Sequence, residues 1–101
     1  MEIRIESIGT TLVVKLSGEI DQSCAEEIRS DIDREITLRH VQNLILDFAA
    51  VDFMDSSGLG MIIGRYKQMK ARGGKTMIIR AKPQVDKILS LSGLKKIIEC
   101  G

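Results

Sequence analysis

From Asp52 to Gly60 the chain reads Asp-Phe-Met-Asp-Ser-Ser-Gly-Leu-Gly, which gathers two carboxylates, two adjacent hydroxyls and two glycines into one short segment. Asp55, Ser56 and Ser57 are all of the types that cap a helix, a role worth about 1 kcal/mol, and capping accounts for one of them. The others are free for chemistry. In open α/β sheets, sites lie beyond the carboxyl ends of strands, where backbone N–H groups and the positive end of a helix dipole hold anions. A phosphate carried by Ser56 is expected to be tolerated there and to be satisfied by the helix N-terminus.

Three other chemistries fit the segment poorly. Hydrolysis by a serine nucleophile needs an adjacent base, but the segment is not Gly-x-Ser-x-Gly, and the single histidine, His40, falls in a polar connection. A dinucleotide-binding turn would place a third glycine at position 63, where the chain has Ile63 and Gly64 comes one residue late. Asp21, Asp52 and Asp55 include no sequence-local set of His or Cys ligands, and a small carboxylate cluster alone specifies no metal. No catalytic residue, metal ligand or cofactor is assigned.

The segment must be held between a strand and a helix. Ile3, Ile5 and Ile8, then Leu12, Val14 and Leu16 up to Gly18, alternate with polar residues and predict an antiparallel strand pair. From Ser23 the period changes: Ala25, Ile28, Ile32 and Ile36 recur at spacings of three and four, which predicts an amphipathic helix. Asn43–Phe48 reads as a buried strand, with Val51–Ser57 leading into a second helix whose apolar face is Leu59, Ile62, Ile63, Tyr66 and Met69. That helix ends at Gly73-Gly74. Thr76–Ile79 predicts another strand, Pro83 opens a third helix carrying Val85, Ile88 and Leu89 to a stop at Gly93, and Ile97-Ile98 predicts a last short strand. The alternation implies an α/β fold, a mixed and mainly parallel β-sheet with amphipathic helices packed against it.

Composition narrows the function classes. The 101 residues allow one small domain. Aromatic residues are limited to Phe48, Phe53 and Tyr66, too few for a platform that stacks bases. Fifteen basic side chains against fourteen acidic ones, in no block, provide no field to draw nucleic acid or anionic lipid, so neither is expected as a partner. Cys24 and Cys100 lie far apart, and the chain opens Met-Glu-Ile-Arg with no signal-like or membrane-spanning run; a cytoplasmic protein with free thiols is expected. A monomer is the expected state.

The run Phe53-Met54-Asp55-Ser56-Ser57-Gly58-Leu59-Gly60, followed by Gly64-Arg65-Tyr66-Lys67-Gln68, resembles the STAS-domain anti-sigma factor antagonists of spore-forming bacteria. The resemblance extends to Gly18-Glu19-Ile20-Asp21, to Gly73-Gly74 and to Leu91-Ser92-Gly93-Leu94, and so covers nearly the whole chain as one STAS domain, residues 1–101. The Gly-Arg-Tyr-Lys-Gln run resembles the sporulation anti-sigma F factor antagonists more than the general-stress branch. The resemblance implies a protein that is not an enzyme. It implies that Ser56 is the phosphorylated serine, that a bifunctional anti-sigma factor serine kinase binds the unphosphorylated form and releases its sigma factor, and that a serine phosphatase later restores Ser56. It also implies a partner surface containing Asp21, Asp55, Ser57, Gly58 and Gly60.

Met61, Gly64, Arg65 and Gln68 fall off the apolar face of the second helix, which makes them either an extension of that surface or a plain solvent-facing stripe. Glycines at 60 and 64 lower helix propensity by about 1 kcal/mol each and ask for a close-approach reason. A second implication of the family is a STAS module inside a transporter-associated or stressosome-like assembly. The chain departs from the family pattern at Asp52, where a neutral residue is expected, and at Gly101, where it stops before the usual terminal helix.

Overall fold

The computed structural model describes all residues, Met1–Gly101. Strands β1 (Glu2–Ile8) and β2 (Thr11–Ile20) form the antiparallel pair. Helix α1 (Gln22–Leu38) leads to β3 (Asn43–Met54), α2 (Ser56–Ala71) to β4 (Lys75–Ile79), and α3 (Pro83–Leu91) with a 3₁₀ turn (Leu94–Lys96) to β5 (Glu99–Cys100). The sheet order is β1-β2-β3-β4-β5, and every pairing after the first is parallel. Right-handed crossovers that advance one strand at a time put successive helices on one side of such a sheet. Leu12, Val14 and Leu16 of β2 and Leu44, Leu46 and Phe48 of β3 meet Ile28, Ile32, Ile62, Val85 and Leu89 in one core.

Helix α1 follows its sequence pattern: Ala25, Ile28, Ile32 and Ile36 are buried, joined by Cys24. Strand β3 does not stop at Phe48. It runs on to Met54 because register shifts in its pairing with β2, between Lys15 and Ser17 and between Gly18 and Glu19, interrupt simple alternation while Val51 and Met54 still reach the core. The final pair Ile97-Ile98 is not strand either. Both N–H groups turn back to the Leu94 carbonyl, at 3.1 and 2.9 Å, and the strand forms one step later at Glu99–Cys100. At the end of α2, Gly73 takes a left-handed φ of 74°. A Cβ on Gly74 would lie 2.5 Å from the Gln42 carbonyl oxygen, so this turn requires both glycines.

At the register shift the buried Asp47 Oδ1 accepts the Ala49 N–H at 3.0 Å. Asp47 also accepts from Arg80 Nε at 3.3 Å and pairs with the Arg80 guanidinium. Burial opposes the charged form of Asp47, but the bonds from Arg80 and Ala49 outweigh it and hold the carboxyl below its ordinary value. A depressed native pKa means that the unfolded chain binds more protons, so this stabilisation is complete above about pH 4 and is lost as pH falls through the native pKa. Asp47→Asn is therefore expected to flatten the acid limb of a plot of urea midpoint against pH; an unchanged limb would show that Asp47 does not carry it.

Candidate functional site

Two adjacent parallel strands deliver two helix N-termini to the same end of the sheet. Ile20 of β2 pairs with Met54 of β3, and the Asp55 N–H donates to the Ile20 carbonyl at 3.2 Å. Asp21 then caps α1 and Asp55 caps α2. Asp21 Oδ1 accepts from the Ser23 N–H at 2.9 Å and from the Ser23 hydroxyl at 2.5 Å, and the hydroxyl bond chiefly holds this exposed carboxyl below its usual range. Asp55 Oδ1 accepts from the Ser57 N–H at 2.8 Å and the Gly58 N–H at 3.2 Å.

That assignment separates the Asp-Ser-Ser triplet. Asp55 is the cap, so neither serine hydroxyl is needed for it. Ser56 is exposed in the first turn of α2, while Ser57 is half-buried. The N–H groups of Ser57 and Gly58 are already engaged by Asp55, so a phosphate on Ser56 would have to compete with that carboxylate for them. Such a phosphate would meet the Asp55 carboxylate as its neighbour.

A groove of about 440 Å³ runs from this end between α1 and α2, lined by Gln22, Glu26 and Arg29 on one side and Ser57, Gly60 and Arg65 on the other. A larger groove of about 610 Å³ involves Asn43 and Lys75, at the opposite ends of β3 and β4 from Ser56. His40 precedes β3 whereas Ser56 follows it, so the length of that strand removes the only imidazole from the serine. Asp21, Asp52 and Asp55 are engaged separately: two cap helices, and Asp52 pairs with Lys82 Nζ at 2.5 Å. The unexpected acid at position 52 is thus offset by a lysine.

A STAS domain model matches residues 2–101. The chain is 38% identical over 98 residues to the anti-sigma F factor antagonist of Paenibacillus polymyxa, covering 97% of this chain and 84% of that one. The chain belongs to the STAS family of anti-sigma factor antagonists. The corresponding protein of Lysinibacillus sphaericus is 36% identical over 84 residues, covering 83% of this chain and 72% of the relative. Among solved structures, the Bacillus antagonist SpoIIAA superposes in its unphosphorylated form with a TM-score of 0.87 at 33% identity, over 99% of this chain and 88% of that one. Its phosphorylated form superposes with a TM-score of 0.78 at 32% identity, over 99% and 91%. No helix here is long and apolar enough to cross a membrane.

Within this STAS fold, the expected site residues divide by exposure. Asp21, Asp55, Ser56, Ser57, Gly60 and Gly64 are exposed or half-buried. Gly58, Met61 and Arg65, expected on the partner surface, are buried. Gly58 lies against the ends of β2 and β3, while Met61 and Arg65 form the floor of the groove between the helices. Leu59, Ile63 and Tyr66, expected on the apolar face with Ile62 and Met69, are only half-buried. Helix α2 packs on the sheet and on α1 together, so one apolar stripe does not describe it. Phe53, to which the sequence assigned no role, sits beside Met54 with 47% of its surface exposed.

Proposed function

We propose that the unphosphorylated protein binds an anti-sigma factor that is also a serine kinase, displaces the bound sigma factor, and is inactivated when the kinase phosphorylates Ser56. In that step the Ser56 hydroxyl oxygen takes the γ-phosphoryl group of ATP, ADP departs and the hydroxyl proton is released. A serine phosphatase hydrolyses the ester and returns the protein to its binding form. The observation that carries the assignment is the division of labour at the head of α2: Asp55 caps the helix, and Ser56 presents an exposed hydroxyl. The greater identity to the sigma F antagonists than to the sigma B antagonist of Bacillus subtilis, 30% identical, supports the sporulation branch.

Asp21, Asp55, Ser57, Gly60 and Gly64 provide the partner surface around Ser56, and the protein acts in the cytoplasm as a monomer that performs no catalysis of its own. The test is intact-mass spectrometry after incubation with the host's anti-sigma kinase and ATP. Wild type and Ser57→Ala are expected to gain one phosphate and Ser56→Ala none. Loss of phosphate in Ser57→Ala alone would move the site by one residue. A wild type that stays unmodified would favour a STAS module held in a larger assembly.

A further inference from the structure

The seam between α1 and α2 contains a charged pair that the proposed switch does not use. Arg65 of α2 is only 9% exposed. Its Nε lies 3.1 Å from Asp33 Oδ1 on α1 and donates to Gln68 Oε1 at 3.2 Å. Arg65 Nη1 and Asp33 Oδ1 have no hydrogen-bond partner of good geometry. The second Asp33 oxygen accepts from Arg29 Nη1 at 2.9 Å, and Arg29 also pairs with Glu26. The remaining ion pairs of α1 lie within that helix or its C-cap, so Arg65–Asp33 is the one that crosses to α2.

A pair that joins a buried arginine to a half-buried aspartate and is only half-satisfied is a poor source of stability, because desolvation opposes the charges and incomplete hydrogen bonding leaves that opposition uncompensated. Burial indeed pulls the Arg65 guanidinium toward its neutral form against the influence of Asp33. In some proteins such pairs serve instead to specify one arrangement of elements over others. Here the elements are the two helices that begin at Asp21 and Asp55: Arg65 lines the groove between them and reaches across to Asp33 on α1. Gly60 and Gly64 leave α2 with no side chain at two positions where an added Cβ would touch nothing, so those positions do not key it against a neighbour. Arg65 lies about 14 Å along the helix from Ser56, at 1.5 Å rise per residue, so its influence on the Ser56 hydroxyl runs through the helix.

We propose that the Arg65–Asp33 pair is a positioning clamp that fixes the rotation of α2 against α1, and with it the spacing of Ser56 and Asp21 offered to the partner. This inference rests on the reading that the partner engages the Ser56 end. The test compares wild type, Arg65→Met and Arg65→Lys by thermal melting, by calorimetric titration with the anti-sigma kinase, and by amide chemical shifts of the free proteins. Arg65→Met is expected to melt no lower than wild type, to shift the amides of Asp21–Cys24 and Ser56–Gly60, and to bind about tenfold more weakly. Arg65→Lys, which keeps a cation within reach of Asp33, is expected to recover most of that affinity. Wild-type affinity in Arg65→Met overturns the clamp. Weaker binding with unmoved amides also overturns it, since Arg65 would then be a direct contact. Failure of Arg65→Met to fold would make the pair a stability element and overturn it as well. Failure of the Ser56 reading is separately visible, because wild type would then neither bind the kinase nor take phosphate.

Discussion

Phosphorylated on Ser56, the protein is expected to bind its anti-sigma kinase at least about a hundredfold more weakly than the unmodified protein, while its own fold stays the same. A hundredfold corresponds to about 2.7 kcal/mol. Phosphorylation adds roughly −1.5 to −2 charges. A pair of unit charges 4 Å apart is worth about 4 kcal/mol at an effective dielectric near 20, so one unfavourable pairing suffices. The site makes such pairing hard to avoid. Asp55 occupies the N–H groups of Ser57 and Gly58, leaving the phosphate beside a carboxylate, and Asp21 caps the helix that starts next door. The partner must therefore face a concentrated negative patch that was a hydroxyl before. Calorimetric titration of both forms measures the loss, and amide chemical shifts check the fold. Equal affinities, or shifts spread through β1 and α3, would contradict an electrostatic and steric switch. Asp55→Asn refines the result: asparagine caps about as well as aspartate, so this variant is expected to fold normally and to lose less affinity on phosphorylation.

The parts of this structure that are local were legible in the sequence. Helix α1 shows one stripe because most of its apolar side chains meet a single core, and Ala25, Ile28, Ile32 and Ile36 lie where their spacing puts them. Helix α2 hides its packing, since Met61 and Arg65 are buried against a second helix that no periodicity in its own sequence announces. Strand β3 loses its alternation after Phe48 because it carries an extra residue against β2 at two places, between Asp47 and Ala50 opposite Lys15 and Ser17 and between Val51 and Phe53 opposite Gly18 and Glu19. The Asp-Ser-Ser segment was legible as a helix start, but Asp and Ser are equally good caps, so only the geometry gives the cap to Asp55. The nearness of Asp21 to that segment depends on the pairing of Ile20 with Met54, residues far apart in the chain. Resemblance supplied what spacing could not.

Gly58→Ala is expected to destabilise the fold by about 2 kcal/mol, the usual range for forcing an extra carbon into a packed site. Gly60→Ala and Gly64→Ala are expected to do the opposite. The three glycines look alike in the sequence, yet only at Gly58 is the space for a Cβ already taken. An added carbon there would lie 2.6 Å from Met54 Cγ, 3.0 Å from Ile20 Cγ2 and 3.1 Å from the Ile20 carbonyl oxygen. Met54 can yield, being flexible. The Ile20 carbonyl has less freedom, because it accepts the Asp55 N–H that fixes the start of α2. The substitution therefore pushes on the joint that positions Ser56, and a fall of roughly 10 °C in Tm should follow for a domain of this size. At Gly60 and Gly64 an added Cβ meets nothing within 4 Å, and alanine should stabilise the helix by up to about 1 kcal/mol each. A residue that weakens its own helix with no internal reason implies an external one. If the partner's backbone approaches α2 at these positions, Gly60→Ala and Gly64→Ala will melt higher and bind the kinase less tightly. Melting that rises without loss of binding would instead make them ordinary solvent-facing positions and confine the partner surface to Asp21, Asp55, Ser56 and Ser57.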